Sequence, residues 1–155
     1  MTKMVFGNFC LERRESVMQR HLIIASHDRL ALGFKQTIEF ISGKQNNLHI
    51  LTAYTDNKPI ESKVSEIMNE IDPKNEVIIL TDMLAGSVNQ KFFLYKNRPH
   101  THIVTGMNLP LALAFVMESS DGYLSESYVR NMVEQAREQL IYVNDIDTSL
   151  DSEDE

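Results

Sequence analysis

Two residues of this chain stand where side-chain chemistry is most readily displayed. His27 ends the apolar run Leu22-Ile23-Ile24-Ala25-Ser26, and Asp82 ends a second run, Glu76-Val77-Ile78-Ile79-Leu80-Thr81. A strand buried on both faces reads as a continuous apolar run, and open α/β sheets bind ligands outside the carboxyl ends of their strands. An imidazole in that position is a candidate nucleophile at neutral pH. A carboxylate that accepts one ring N–H leaves the lone pair on the other nitrogen and stabilises the positive ring formed on attack. The turn Ala85-Gly86-Ser87 follows Asp82 and opens a helix, where free backbone N–H groups favour an anion. Ser87 can serve there as N-cap or donate its hydroxyl to the anion. The chemistry such a pattern suggests is nucleophilic attack by the His27 imidazole on a phosphoryl group. A polar strand end that merely caps a helix has the same residue types, and the pattern alone leaves both readings open.

The elements that must position these residues alternate regularly from Gln19 onward. The strand at 22–26 is followed by a helix near 30–42, with Leu30, Phe34, Ile38 and Ile41 at helical spacing and Ser42-Gly43 at its end. A strand at 48–52 leads through Thr55-Asp56-Asn57-Lys58 to Pro59, in the first turn of a helix reaching about Ile71. The strand at 76–81 precedes a helix from Ser87 to about Lys96, and a strand at 101–105 leads through Gly106 into a helix near Asn108-Leu109-Pro110. A last helix spans Ser125 to Leu140. This alternation predicts a three-layer α/β/α fold with a mainly parallel, doubly wound central sheet of four or five strands. Three strand ends then carry polar or small residues: Ser26-His27-Asp28, Thr81-Asp82 with Gly86-Ser87, and Thr105-Gly106 with Asn108. With the first strand central, His27 and Asp82 flank the crevice where helices leave on opposite faces.

Composition bounds the function. The 155 residues, 43% hydrophobic, suit one domain with one core. No apolar stretch approaches the roughly 20 residues that span a bilayer, no signal peptide is evident, and the single Cys10 fits a reducing cytoplasm. The net charge of −7 is misleading, because six of the 22 acids fall among the last eleven residues, where no base occurs. The rest is near neutral, and its scattered bases form no nucleic-acid surface. The expected division is an extension over 1–17 outside the fold, a domain over 18–144 and an acidic, disordered tail over 145–155. His21 is expected to face solvent and His49 to be a satisfied packing residue. His100 and His102 share a strand face but lack a third metal ligand. Met68, Met83, Met107, Met117 and Met132 are expected to fill core or interface gaps. Walker A, GxGxxG and GxSxG patterns are absent.

The segments Ile23-Ile24-Ala25-Ser26-His27, Thr81-Asp82-Met83-Leu84-Ala85-Gly86-Ser87-Val88-Asn89 and Thr105-Gly106-Met107-Asn108-Leu109-Pro110 carry a resemblance across residues 20–143. They resemble the enzyme IIA domain of the mannose family of the bacterial phosphoenolpyruvate-dependent sugar phosphotransferase system. The resemblance implies a cytoplasmic homodimer that takes a phosphoryl group from the phosphocarrier HPr onto a histidine. It then passes the group to a IIB partner, which phosphorylates a sugar entering through a IIC/IID permease. By motif match His27 is phosphorylated at Nε2, Asp82 pairs with its other nitrogen, and Gly86 and Ser87 lie on the phosphate side. Ser26, Asp28, Thr81, Asn89, Thr105, Gly106 and Asn108 support them. No metal, nucleotide or other cofactor is required.

Two positions depart from the family pattern. Asp28 stands where the family usually has glycine, and Ala85 replaces the first glycine of a Gly-Gly-Ser turn. Ala85 is harmless unless its backbone needs a positive φ. Two other uses of the same histidine remain: a dihydroxyacetone-kinase phosphotransfer subunit, and a regulatory module controlled by histidine phosphorylation.

Overall fold

The computed structural model describes residues 17–147. The expected N-terminal extension, apart from Val17, and the acidic tail beyond residue 147 lie outside the described residues. Four strands, β1 (Arg20–His27), β2 (Leu48–Ala53), β3 (Glu76–Thr81) and β4 (Thr101–Thr105), form one all-parallel sheet in the order β2-β1-β3-β4. The helices are α1 (Leu30–Ser42), α2 (Ile60–Glu70), α3 (Ser87–Phe93), α4 (Leu109–Met117) and α5 (Glu126–Arg137).

Alternation along the strands builds two cores. Leu22 and Ile24 of β1, with Ile78 and Leu80 of β3, face α1, α4 and α5, meeting Ile38, Leu111, Phe115 and Met132. Ile23, Ala25, Val77 and Ile79 face α2 and α3, meeting Val64, Met68, Val88 and Phe92. Ile23, Ile24, Ile78, Ile79 and Leu80 are fully buried, and burying each such side chain stabilises the sheet by about 1.5–3 kcal/mol. Because α1 and α3 leave β1 and β3 toward opposite faces, a crevice opens between the ends of those strands.

β1 and β2 both run beyond the strands read from the sequence, and several other expectations are corrected. β1 begins at Arg20, because its guanidinium pairs in the interior with Glu76 of β3 and donates to the carbonyls of Ser119 and Gly122. A charge is tolerated there only because it is fully partnered. α3 ends at Phe93 instead of near Lys96. Tyr95, Lys96 and Arg98 continue in i→i−3 turns before Pro99, which disfavours a helical residue ahead of it. Met68 and Met132 fill core positions, while Met83 and Met117 lie exposed.

His21 is buried, contrary to its expected exposure. Asn75 Nδ2 approaches its Nε2 at 3.2 Å, and its Nδ1 lies 2.9 Å from His49 Nε2. Burial first, then the charges of His49 and Arg98, hold His21 below the ordinary imidazole value. Burial also lowers His49, against an opposing pull from Glu70. The unfolded chain therefore takes up protons that the folded pair resists. The pair's contribution is complete above the ordinary value of 6.5 and is lost as the pH falls from there toward the lower folded values. Thermal melts between pH 7.5 and 5.5 should show stability falling on acidification, with a shallower slope in His49→Gln. An unchanged slope in that variant would remove the pair as the cause.

Candidate functional site

The crevice at the carboxyl ends of β1 and β3 holds the two residues singled out first. Asp82 Oδ2 accepts both the His27 backbone N–H at 2.8 Å and its ring Nδ1–H at 2.7 Å. One oxygen thus fixes the ring to its own main chain. Asp82 Oδ1 accepts the Met83 N–H at 2.9 Å. Burial opposes the charged carboxylate, but the hydrogen bonds from His27 and Met83 outweigh it and leave Asp82 below its ordinary value. It is therefore ionised at neutral pH and holds the proton on Nδ1, which places the imidazole lone pair on Nε2. The His27 side chain is 35% exposed while that of Asp82 is 11% exposed. Nε2 faces Ser87 Oγ at 3.3 Å.

Ser87 reaches this position from the first turn of α3. It is not the N-cap: Gly86 is, with an extended backbone, and Ser87 turns its hydroxyl into the crevice. Gly86 is required by close approach. A Cβ there would lie 3.2 Å from His27 Cε1 and 2.9 Å from Met83 Cγ, so a larger residue would push on the ring itself.

The two positions where the resemblance leads one to expect glycine fall in the left-handed backbone region, Asp28 at φ 47° and Ala85 at φ 59°. A Cβ at such φ costs roughly 1–2 kcal/mol per residue, less for Asp, whose side chain tolerates it. Glycine's larger unfolded-state entropy offsets part of that. Ala85→Gly is expected to raise stability by about 0.5–1 kcal/mol, read by urea unfolding. If the crevice takes a phosphoryl group, as the resemblance implies, Asp28→Gly should also relieve repulsion toward it and speed its arrival by about threefold to tenfold, most at low salt. A slower Asp28→Gly chain would mean that the carboxylate assists instead.

The remaining residues brace the crevice. Ser26 Oγ accepts the Ala31 N–H at 2.7 Å and anchors the start of α1. Thr81 donates to Asn89 Oδ1 at 3.1 Å, tying the end of β3 to α3. Gly106, at φ 72°, turns the chain after β4 so that the Met107 N–H reaches the Thr81 carbonyl at 3.1 Å. Asn108 caps α4 through the Leu111 N–H and donates to the Ala136 carbonyl of α5. Thr105 ends β4, an outer strand separated from β1 by β3, and its buried Oγ1 has no hydrogen-bond partner. The third strand end thus supports the fold and is not part of the His27 cluster.

One member of the site was missed by the sequence reading. Tyr54, just past β2, places its OH 2.6 Å from Ser87 Oγ and lays its ring over His27, with centroids 5.8 Å apart and planes inclined 27°. Its strand-end position on β1's other neighbour is the signal that could have found it. His100 stacks on Tyr123, and His102 lies 3.8 Å from Glu76. Among the described residues no group of three or more His, Cys, Asp or Glu is placed to hold a metal.

The crevice of this doubly wound sheet thus displays a carboxylate-oriented imidazole with its second nitrogen beside a hydroxyl. The family model of the phosphotransferase-system fructose IIA component, of mannose type, matches residues 21–134, and the chain belongs to that family. It is 26% identical over 108 residues to the sorbose-specific EIIA component of Lacticaseibacillus casei, spanning 68% of this chain and 78% of that one. Among solved structures it is similar to a Klebsiella pneumoniae protein described as a phosphoenolpyruvate-dependent sugar phosphotransferase system permease. That match has a TM-score of 0.77 and 33% identity, over 84% of this chain and 95% of the other. It is also similar to the IIA protein associated with the fucose utilization operon of Streptococcus pneumoniae. The TM-score there is 0.70 at 27% identity, over 82% and 95% of the two chains.

Proposed function

We propose that this IIA component accepts a phosphoryl group from phospho-HPr on His27 Nε2 and passes it to a IIB component for coupled sugar uptake. The observation that carries this reading is the double engagement of Asp82 Oδ2 by His27, which leaves Nε2 as the free nucleophile. In the first transfer the Nε2 lone pair forms a bond to phosphorus while the donor histidine's N–P bond breaks. The bonding pair returns to the donor ring, and no net proton is consumed. The His27 ring becomes positive and keeps Nδ1–H against the ionised Asp82. Phosphoryl oxygens meet the Ser87 hydroxyl and the first N–H groups of α3. Transfer to IIB reverses these steps. Such chemistry asks the protein mainly for position and charge.

The chain acts in the cytoplasm as a homodimer in this reading. Among the described residues no helix is long and apolar enough to cross a membrane. Among the described residues β4 pairs only with β3, and Leu140, Ile141, Tyr142 and Val143 expose apolar surface beyond α5. An open edge beside exposed apolar residues favours a second copy as cover.

The test is a labelled phosphate chase. Purified chain incubated with phosphoenolpyruvate, enzyme I and HPr should gain one acid-labile phosphate and lose it on addition of IIB. Retention of the label in the presence of IIB would favour the regulatory module. Loss to a nucleotide-bearing dihydroxyacetone kinase instead would favour that subunit role.

A further inference from the structure

We propose that Tyr54 is a positioning residue for phosphoryl transfer at His27. Its hydroxyl fixes the Ser87 proton and its ring roofs one face of the imidazole. The inference rests on the phosphotransfer reading of His27 and adds a residue to it.

The direction of the hydrogen-bond chain follows from Asp82. With Nδ1–H given to the carboxylate, Nε2 can only accept, so the Ser87 hydroxyl donates to it. Ser87 Oγ then has only lone pairs to offer Tyr54, and the Tyr54 O–H donates at 2.6 Å. The relay is therefore polarised from Tyr54 through Ser87 to Nε2. Once phosphorus occupies Nε2, that nitrogen has no lone pair left, and the Ser87 proton must turn to a phosphoryl oxygen. Tyr54 keeps the Ser87 oxygen in place during the turn, so the donor stays aimed at the transferring group.

The ring has a second effect. The phosphorylated imidazole is positive while Nδ1 retains its proton, and a tyrosine face 5.8 Å away is within the range at which aromatic rings attract cations. The same face shields the new N–P bond from water on one side. Tyr54 holds this pose with a backbone φ of 64°, in the left-handed region where a tyrosine is strained. Such strain persists where the surroundings enforce it, and it concentrates at working sites. The enforcing contact is close by: the Asp28 N–H donates to the Ala53 carbonyl at 2.9 Å, locking the end of β2 to the loop after His27.

A double-mutant cycle with Ser87 separates positioning from bulk structure. Tyr54→Phe should slow phosphoryl uptake from phospho-HPr by about threefold to tenfold in the native background. In a Ser87→Ala background it should have almost no effect, because the relay is already broken. The lifetime of phosphorylated chain after donor removal should be unchanged in Tyr54→Phe and about twofold to fivefold shorter in Tyr54→Leu, which lacks the ring. Native rates in Tyr54→Phe, or equal slowing with and without Ser87, overturn the proposal. If native chain takes up phosphate and only this pattern fails, His27 chemistry stands without Tyr54. If native chain takes up none, both readings fall.

Discussion

His27→Ala is expected to take up no phosphate from phosphoenolpyruvate, enzyme I and HPr while keeping its fold. The loss is complete because Nε2 is the nitrogen nucleophile of the crevice, and the hydroxyls beside it, Ser87 and Tyr54, cannot form the same N–P bond. The fold survives for a specific reason. The imidazole is one-third exposed, and Asp82 Oδ2, its partner, also accepts the backbone N–H of residue 27, a bond that alanine retains. The buried carboxylate is therefore not orphaned, and the stability cost is about that of one net hydrogen bond, roughly 1 kcal/mol. Circular dichroism melts and intact mass after phosphorylation check both halves. One acid-labile phosphate on the alanine chain would move the acceptor to another of the five histidines.

Asp82→Asn should slow phosphoryl transfer by about 10²-fold or more with little change in stability. The amide can still accept from one N–H of His27 through its oxygen. Its NH₂ can also donate to Nδ1, which selects the tautomer with the proton on Nε2 and removes the attacking lone pair. A neutral amide offers no compensation for the positive ring in the phosphorylated form. Single-turnover transfer from phospho-HPr gives the rate directly, and native speed in this variant would reduce Asp82 to a strand terminus that anchors a loop. Since Asp82 lies below its ordinary value when folded, its contribution to stability is lost only as the pH falls through that lowered value, well under neutrality.

The strand ends were legible because buried parallel strands announce themselves. β3 runs from Glu76 to Thr81 as read, and the polar residue after each apolar run marked where the sheet meets solvent. The order β2-β1-β3-β4 agrees with the expectation that β1 lies inside the sheet, which brings His27 beside Asp82. What escaped depended on partners distant in sequence. His21 looked exposed because its neighbours, His49 and Asn75, come from two other parts of the chain. Arg20 fell outside the strand read at 22–26 because the carboxylate that lets it be buried, Glu76, lies 56 residues away. Tyr54 escaped because its aim is set by a positive φ, which no side-chain pattern announces in a residue other than glycine. The positive φ at Ala85 was posed as a condition, and only the turn geometry supplied the answer.

The account stands most directly on which nitrogen carries phosphorus. Long-range ¹H–¹⁵N correlation on ¹⁵N-labelled chain, before and after phosphorylation, reads both ring nitrogens of His27. Before transfer, Nδ1 should carry the proton and Nε2 the lone pair. After transfer, phosphorus should sit on Nε2 with Nδ1 still protonated. Phosphorus on Nδ1, or on any other histidine, would contradict it.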